Sequence, residues 1–333
     1  MKKLCFISGV LFFSVLMVVA PGCSVDKSEK QEGEVIRDLP EKPVITGESV
    51  HIFNPNDTRS HIDTTWYTND HCFAKGPDGV WHAYGIIGRA PIDAWTGETN
   101  FFHVSSPVLY KQKWEDHEYA LVAKEGEERV LWAPFIFKEN GVYNMFYNIG
   151  NMQEDAPNYN SWGQLCLATS KDMFNWERHE RNPLFSDYGH GRDAYILKHK
   201  DTYYFYYTRT YSEIDHRSCI AVRKGHSLTE WSGPKRAHVQ PQTREWGYGG
   251  EAESPAVIYK DGIFYLFICR SDTDYNRTDV YWSKDPEDFP RENLVTSLPV
   301  HATEVIYDEN EGWFVSNTGF DKKGIYIAPI EWR

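Results

Sequence analysis

Gly250-Glu251-Ala252-Glu253-Ser254-Pro255-Ala256-Val257-Ile258-Tyr259-Lys260-Asp261-Gly262-Ile263-Phe264-Tyr265-Leu266-Phe267 carries the pattern that repeats along this chain. A carboxylate opens an apolar run from Ala256 to Tyr259, a Lys-Asp-Gly turn follows, and a second apolar run covers Ile263 to Phe267. Asp-Gly between two aromatic-rich runs signals a hairpin, because both residues tolerate the positive φ of a tight turn. The unit recurs. Asn69 to Ala74 leads through Asp78-Gly79 to Trp81, Leu131 to Phe137 through Asn140-Gly141 to Tyr143, and Arg192 to Leu197 through Lys200-Asp201 to Tyr203. His301 to Tyr307 leads through Asn310-Glu311-Gly312 to Trp313. The aromatics that leave the turns, Trp81, Tyr143, Tyr203, Phe264 and Trp313, are spaced by 62, 60, 61 and 49 residues.

A period near sixty residues marks a repeat architecture. Third strands follow the hairpins, such as Leu165 to Ser170 before Trp176 and Cys219 to Val222 before Trp231, with no helical period between them. Units of three or four short antiparallel strands repeated around a centre predict an all-β, five-bladed β-propeller. Residues 44–333 are expected to form it as one domain.

At the amino terminus, Lys2 and Lys3 precede an apolar run from Leu4 to Val19, then Ala20-Pro21-Gly22-Cys23. A basic start and a short apolar core are the parts of an export signal. Sixteen residues are fewer than the roughly twenty that span a bilayer. Cys23 after Gly22 resembles the lipidated cysteine of a bacterial lipoprotein, although Pro21 and Ala20 depart from that pattern; the alternative is an ordinary secreted protein. Residues 1–22 are read as the signal and 23–43 as a flexible polar tether to a lipid anchor in the outer membrane, at its periplasmic face or the cell surface. The net charge of −13 excludes the basic footprint of a nucleic-acid binder. Cys72, Cys166, Cys219 and Cys269 fall in strands of different blades, which predicts buried free thiols.

The first strand of each blade lines a propeller's channel. Counting back from the turn-exit aromatics places Asp70, Trp132, Asp193, Glu253 and Ala302 at matching positions 10 or 11 residues earlier, with His301 beside the last. Matching positions in a ring lie near one another, so three carboxylates are expected to converge. Mutual repulsion should leave at least one protonated near neutrality. An acid with a raised pKa facing an ionised carboxylate is what glycosidic-bond cleavage requires.

On these residues the chain resembles the five-bladed propeller glycosidases, most closely glycoside hydrolase family 43. Trp132-Ala133-Pro134 is similar to that family's second-blade motif, and Glu253-Ser254-Pro255 to its general-acid motif, where Ser254 replaces the usual Gly. The resemblance implies an inverting mechanism with Asp70 as general base, Asp193 as pKa modulator and Glu253 as general acid. It makes arabinofuranosides or xylosides of plant or algal oligo- and polysaccharides the favoured substrates, with no cofactor required. Asn69-Asp70 and Arg192-Asp193 also resemble motifs of family 32, in which the first Asp is the nucleophile of a retaining reaction. His71 and Ala194 stand where that family has prolines, and its Glu-Cys acid motif is absent. The α-neoagarooligosaccharide hydrolases share the propeller.

Neighbouring residues carry further expectations. Trp132 stacks on a sugar or fills the channel wall, Arg192 clamps hydroxyls or pairs with Asp193, Arg270 reaches the pocket or forms a salt bridge, and His190 contacts substrate. His301 would lie near a structural calcium, as the resemblance implies. Glu251, two residues before Glu253, is the substitute acid. A non-catalytic glycan-binding lipoprotein and a phosphorylase using Arg192, Arg209 and Arg270 are the competing readings.

Overall fold

The structure is a computed structural model and describes residues 38–333 apart from 60–64, 95, 112, 151–162, 188–190, 211–217, 241–251, 274 and 319–322. The signal segment, Cys23, His190 and Glu251 therefore lie outside the described residues. Five antiparallel sheets follow one another along the chain, as the repeat predicts. Blade 1 opens with Trp66–Lys75 and Trp81–Arg89, blade 2 with Leu131–Glu139 and Val142–Ile149, and blade 3 with Arg192–His199 and Thr202–Thr210. Blade 4 is Glu253–Lys260, Ile263–Cys269, Thr278–Ser283 and Leu294–Leu298.

The turn chemistry holds at the two strongest signals. Asn140 and Gly141 have φ of 48° and 76°, and Asp261 and Gly262 have 52° and 84°. Their flanking pairs, Glu139 with Val142 and Lys260 with Ile263, close loops of two residues with positive φ at both central positions.

Blade 5 departs from simple repetition. Its Val305–Asp308, Gly312–Asn317 and Ile325–Trp332 are completed by Pro43–Ile45 and Val50–Phe53, both paired to Ile325–Trp332. The first and last strands of the propeller thus share one sheet, which pairs backbone groups that would otherwise form an open edge. Glu41 belongs to this closure as well. Its backbone N–H donates to the Tyr265 hydroxyl at 2.9 Å and its carboxylate meets Lys260 Nζ at 2.9 Å. The last residues of the expected tether, 41–43, are therefore docked on the propeller.

Aromatic side chains fill the layers between blades. Phe135 of blade 2 packs on Tyr195 of blade 3 with ring centroids 4.2 Å apart, and Phe146 meets Phe205 edge-on at 5.5 Å. Each buried ring of this size contributes roughly 1.5–3 kcal/mol relative to exposure. The four cysteines are buried and free, as expected.

Among the described residues, burial holds four histidines in neutral form. Burial lowers the pKa of His71, His82 and His238 to about 4, and that of His103 further. His82 Nδ1 and His103 Nε2 are 2.8 Å apart, so one must donate and the other accept. The unfolded chain takes up these protons near pH ~6.5, whereas the folded chain resists until about pH 4. The unfolded state then binds more protons across that window, and stability falls as pH falls through it. Urea midpoints measured between pH 7 and 4.5 should drop less in a His82→Gln/His103→Gln variant than in the wild type. Equal slopes would contradict this origin.

Candidate active site

The first strands of blades 1 to 4 abut in succession, and each of these four starts with the same irregularity. Register shifts fall between Thr68 and His71, Trp132 and Phe135, Arg192 and Tyr195, and Glu253 and Ala256. Two residues oppose one at each bulge, which bends the strand and re-aims its side chains. Ala133, Asp193 and Ser254 sit there with φ of 46°, 60° and 47°, and Ala302, just before the first strand of blade 5, has φ of 48°. These residues, together with Asp70, His71 and Glu304, line a single cleft to which all five blades contribute.

The bulges correct the sequence register. Glu253 is the last paired residue before its bulge, as are Trp132 and Arg192. Asp193 is the first bulge residue of blade 3, whereas Asp70 is the second of blade 1. Counting from the turn aromatics hid this. Blade 1 closes Lys75 onto Trp81 over a longer loop, whereas blade 3 closes His199 onto Thr202 over two residues. The three acids occupy three successive positions of one motif rather than equivalent ones.

They are nevertheless linked. The Ser254 hydroxyl donates to Asp70 Oδ1 at 2.6 Å, and the Ser254 backbone N–H donates to Asp193 Oδ2 at 3.1 Å. Thr208 Oγ1 also donates to Asp193 Oδ2, at 2.7 Å. Arg192 Nε lies 3.5 Å from that same oxygen, and its Nη2 is 3.0 Å from Glu253 Oε1. A continuous chain of contacts therefore runs Asp70, Ser254, Asp193, Arg192, Glu253.

Burial is the largest influence on the acids. It pushes Glu253 up to about 7 and Asp193 up to about 6. The guanidinium of Arg192 opposes both shifts, while Asp70 reinforces both and Asp193 adds to that of Glu253. Repulsion, the cause expected from the sequence, is present but secondary.

Glu304 is a fourth acid that the sequence reading missed. It lines the cleft, and burial with the nearby Asp70 holds its carboxyl well above the usual range. The signal was available: Glu304 is a carboxylate at the start of the fifth repeat, two residues beyond Ala302. His71, also at the cleft, joins blade 1 to blade 5 through its Nε2, 2.7 Å from Ser316 Oγ.

Other expectations change. Trp132 is buried, with its indole N–H donating to the Ala94 carbonyl at 3.1 Å, so it forms wall rather than a stacking platform. Arg270 does not line the cleft. Asp272 takes its Nε at 2.9 Å and Asp279 its Nη1 at 2.9 Å, which commits the fork to protein carboxylates. Arg209 is likewise engaged, 3.2 Å from Asp187, so each arginine of the phosphorylase reading already faces a carboxylate. His301 has Nδ1 3.0 Å from Thr318 Oγ1 and its ring 5.0 Å from Tyr275. Among the described residues no group of three His, Cys, Asp or Glu side chains is placed to hold a metal.

Residues 133–298 match the family model for the glycosyl hydrolases family 32 N-terminal domain. No curated protein matches the chain. Among solved structures, a thermostable family-43 glycoside hydrolase is 20% identical with a TM-score of 0.61, over 80% of this chain and 89% of that one. A family 117 glycoside hydrolase from the marine bacterium Zobellia galactanivorans is 13% identical with a TM-score of 0.62, over 88% and 91%. A family 43 enzyme from Xanthomonas citri, complexed with xylotriose, is 14% identical with a TM-score of 0.57, over 80% and 86%. The solved structures share the fold and the matched family model supplies the hydrolase class: the chain is a five-bladed propeller glycoside hydrolase.

Proposed function

We propose that the protein cleaves arabinofuranosides or β-xylosides of plant or algal oligo- and polysaccharides with inversion at the anomeric carbon. The observation that carries this reading is the linked set of Asp70, Asp193 and Glu253, with Glu253 pushed up to about 7. Glu253 then retains its proton over much of the neutral range and protonates the leaving oxygen. Asp70 accepts the proton of the attacking water, and Asp193 orients the sugar and adds its charge to the field at Glu253. The scheme requires no cofactor. A pentoside substrate draws support from the similar family 43 enzyme that holds xylotriose.

The test is product release from arabinan, xylan, fructan and agaro-oligosaccharides, with the first anomer observed by NMR. Release of a pentose with inverted configuration is expected. A second reading rests on the family 32 match over 133–298: a retaining, β-fructosidase-like hydrolase with Asp70 as nucleophile. Fructan turnover with retained configuration would establish that one instead.

We further infer export and lipid anchoring through Cys23, supported by the apolar run Leu4 to Val19 and the polar segment after it. Expressed in a Gram-negative host, the full chain should fractionate with the outer membrane and Cys23→Ala with the soluble fraction. Identical fractionation of the two would overturn the anchor.

A further inference from the structure

Ser254 stands between two of the acids. It belongs to blade 4, yet its hydroxyl reaches across the cleft to Asp70 of blade 1, 184 residues away in sequence, at 2.6 Å. Its backbone N–H holds Asp193 of blade 3 at 3.1 Å. We propose that Ser254 is a positioning residue for the reaction, one bulge residue that fixes the Asp70 carboxylate with its side chain and Asp193 with its backbone. The inference deepens the acid/base scheme and rests on it.

Three observations support this role over a purely structural one. Ser254 has φ of 47°, a region that side-chain-bearing residues enter at a cost and glycine enters freely. The bulge itself does not require a hydroxyl, since Ala133 occupies the corresponding place in blade 2 with φ of 46°. Among the described residues, no second donor reaches the Asp70 carboxylate. A hydrogen bond to an ionised carboxylate is short and directional, so it selects one orientation of the group. Asp70 starts from a bulge, where the regular sheet no longer aims the side chain. Correct aim matters because displacement of a reacting group by about 1 Å can cost about 100-fold in rate.

The experiment compares Ser254→Gly, Ser254→Thr and Asp70→Asn by thermal melting, by kcat and KM on 4-nitrophenyl α-L-arabinofuranoside and 4-nitrophenyl β-D-xyloside, and by crystallography. Ser254→Gly relieves the backbone and removes the hydroxyl. Its melting midpoint should hold or rise by about 2 °C, while kcat falls about 10- to 100-fold with KM little changed. Ser254→Thr keeps the hydroxyl on a β-branched residue at positive φ, so its midpoint should fall while kcat stays near wild type. This opposite ordering of stability and rate is what a merely structural serine would not produce. Undiminished kcat in Ser254→Gly, beside an inactive Asp70→Asn, overturns the role of Ser254 alone. Full activity in Asp70→Asn overturns the acid/base scheme instead. An Asp70 carboxylate that keeps its place in crystals of Ser254→Gly also overturns the inference, whichever glycoside is turned over.

Discussion

Glu253→Gln lowers kcat on natural glycosides by about a thousandfold, within the range general acid catalysis usually contributes. Gln matches the shape of Glu but has no proton to give to the departing oxygen. The loss should shrink on 4-nitrophenyl glycosides, whose leaving group departs without protonation. The alkaline side of the wild-type pH profile should fall off near the pKa of Glu253, about 7, and this limb should vanish in the variant. The mechanism has a definite sign: above that pH the acid is ionised and the rate declines. Wild-type turnover of natural glycosides by the variant would remove Glu253 from the role and pass it to Glu251.

Arg192→Met has the second large effect, on stability. Arg192 faces both Glu253 and Asp193, and methionine keeps much of the apolar stem while deleting the charge. Removing one partner of a largely buried ion pair costs about 3 kcal/mol or more when the other stays charged. Here the acids can instead take up protons. In the wild type their folded pKa values, about 7 and about 6, already exceed unfolded values of 4.5 and 3.8. The folded state therefore binds more protons than the unfolded state above pH ~4, and these groups lose their contribution as pH rises through the folded values. Without the guanidinium the folded values climb further. The penalty of Arg192→Met should be small at pH 5 and reach about 3 kcal/mol at pH 8 by urea unfolding. A penalty independent of pH would show that Arg192 acts through packing alone.

How far the site was legible depended on the range of the interaction being read. Asp261-Gly262 and Asn140-Gly141 announce their turns because the positive φ they must adopt is a property of those residues themselves. Asp70, Asp193 and Glu253 could be gathered because each opens a repeat, and repetition brings strand starts to one axis. Their offsets could not be read, since bulges and unequal turn lengths alter the count without any mark in composition. Glu304 stood in plain view in the fifth repeat but resembled an ordinary strand residue. Only its place at the cleft beside Asp70 distinguishes it.

Arg270 and Trp132 were each left between two fates for a related reason. A guanidinium or indole selects its partner by proximity in space, and Asp272, Asp279 and Ala94 provided partners that a substrate was expected to supply. The hairpins, the five repeats and the approach of Asp70, Asp193 and Glu253 to the axis were legible in the sequence, because these follow from local backbone preference and periodic burial. Only the tertiary structure decided that Pro43–Ile45 and Val50–Phe53 close the last blade, that Ser254 bridges two acids, and which arginine faces them. Those choices belong to contacts between residues far apart along the chain, whose energy exists only once the ring has closed.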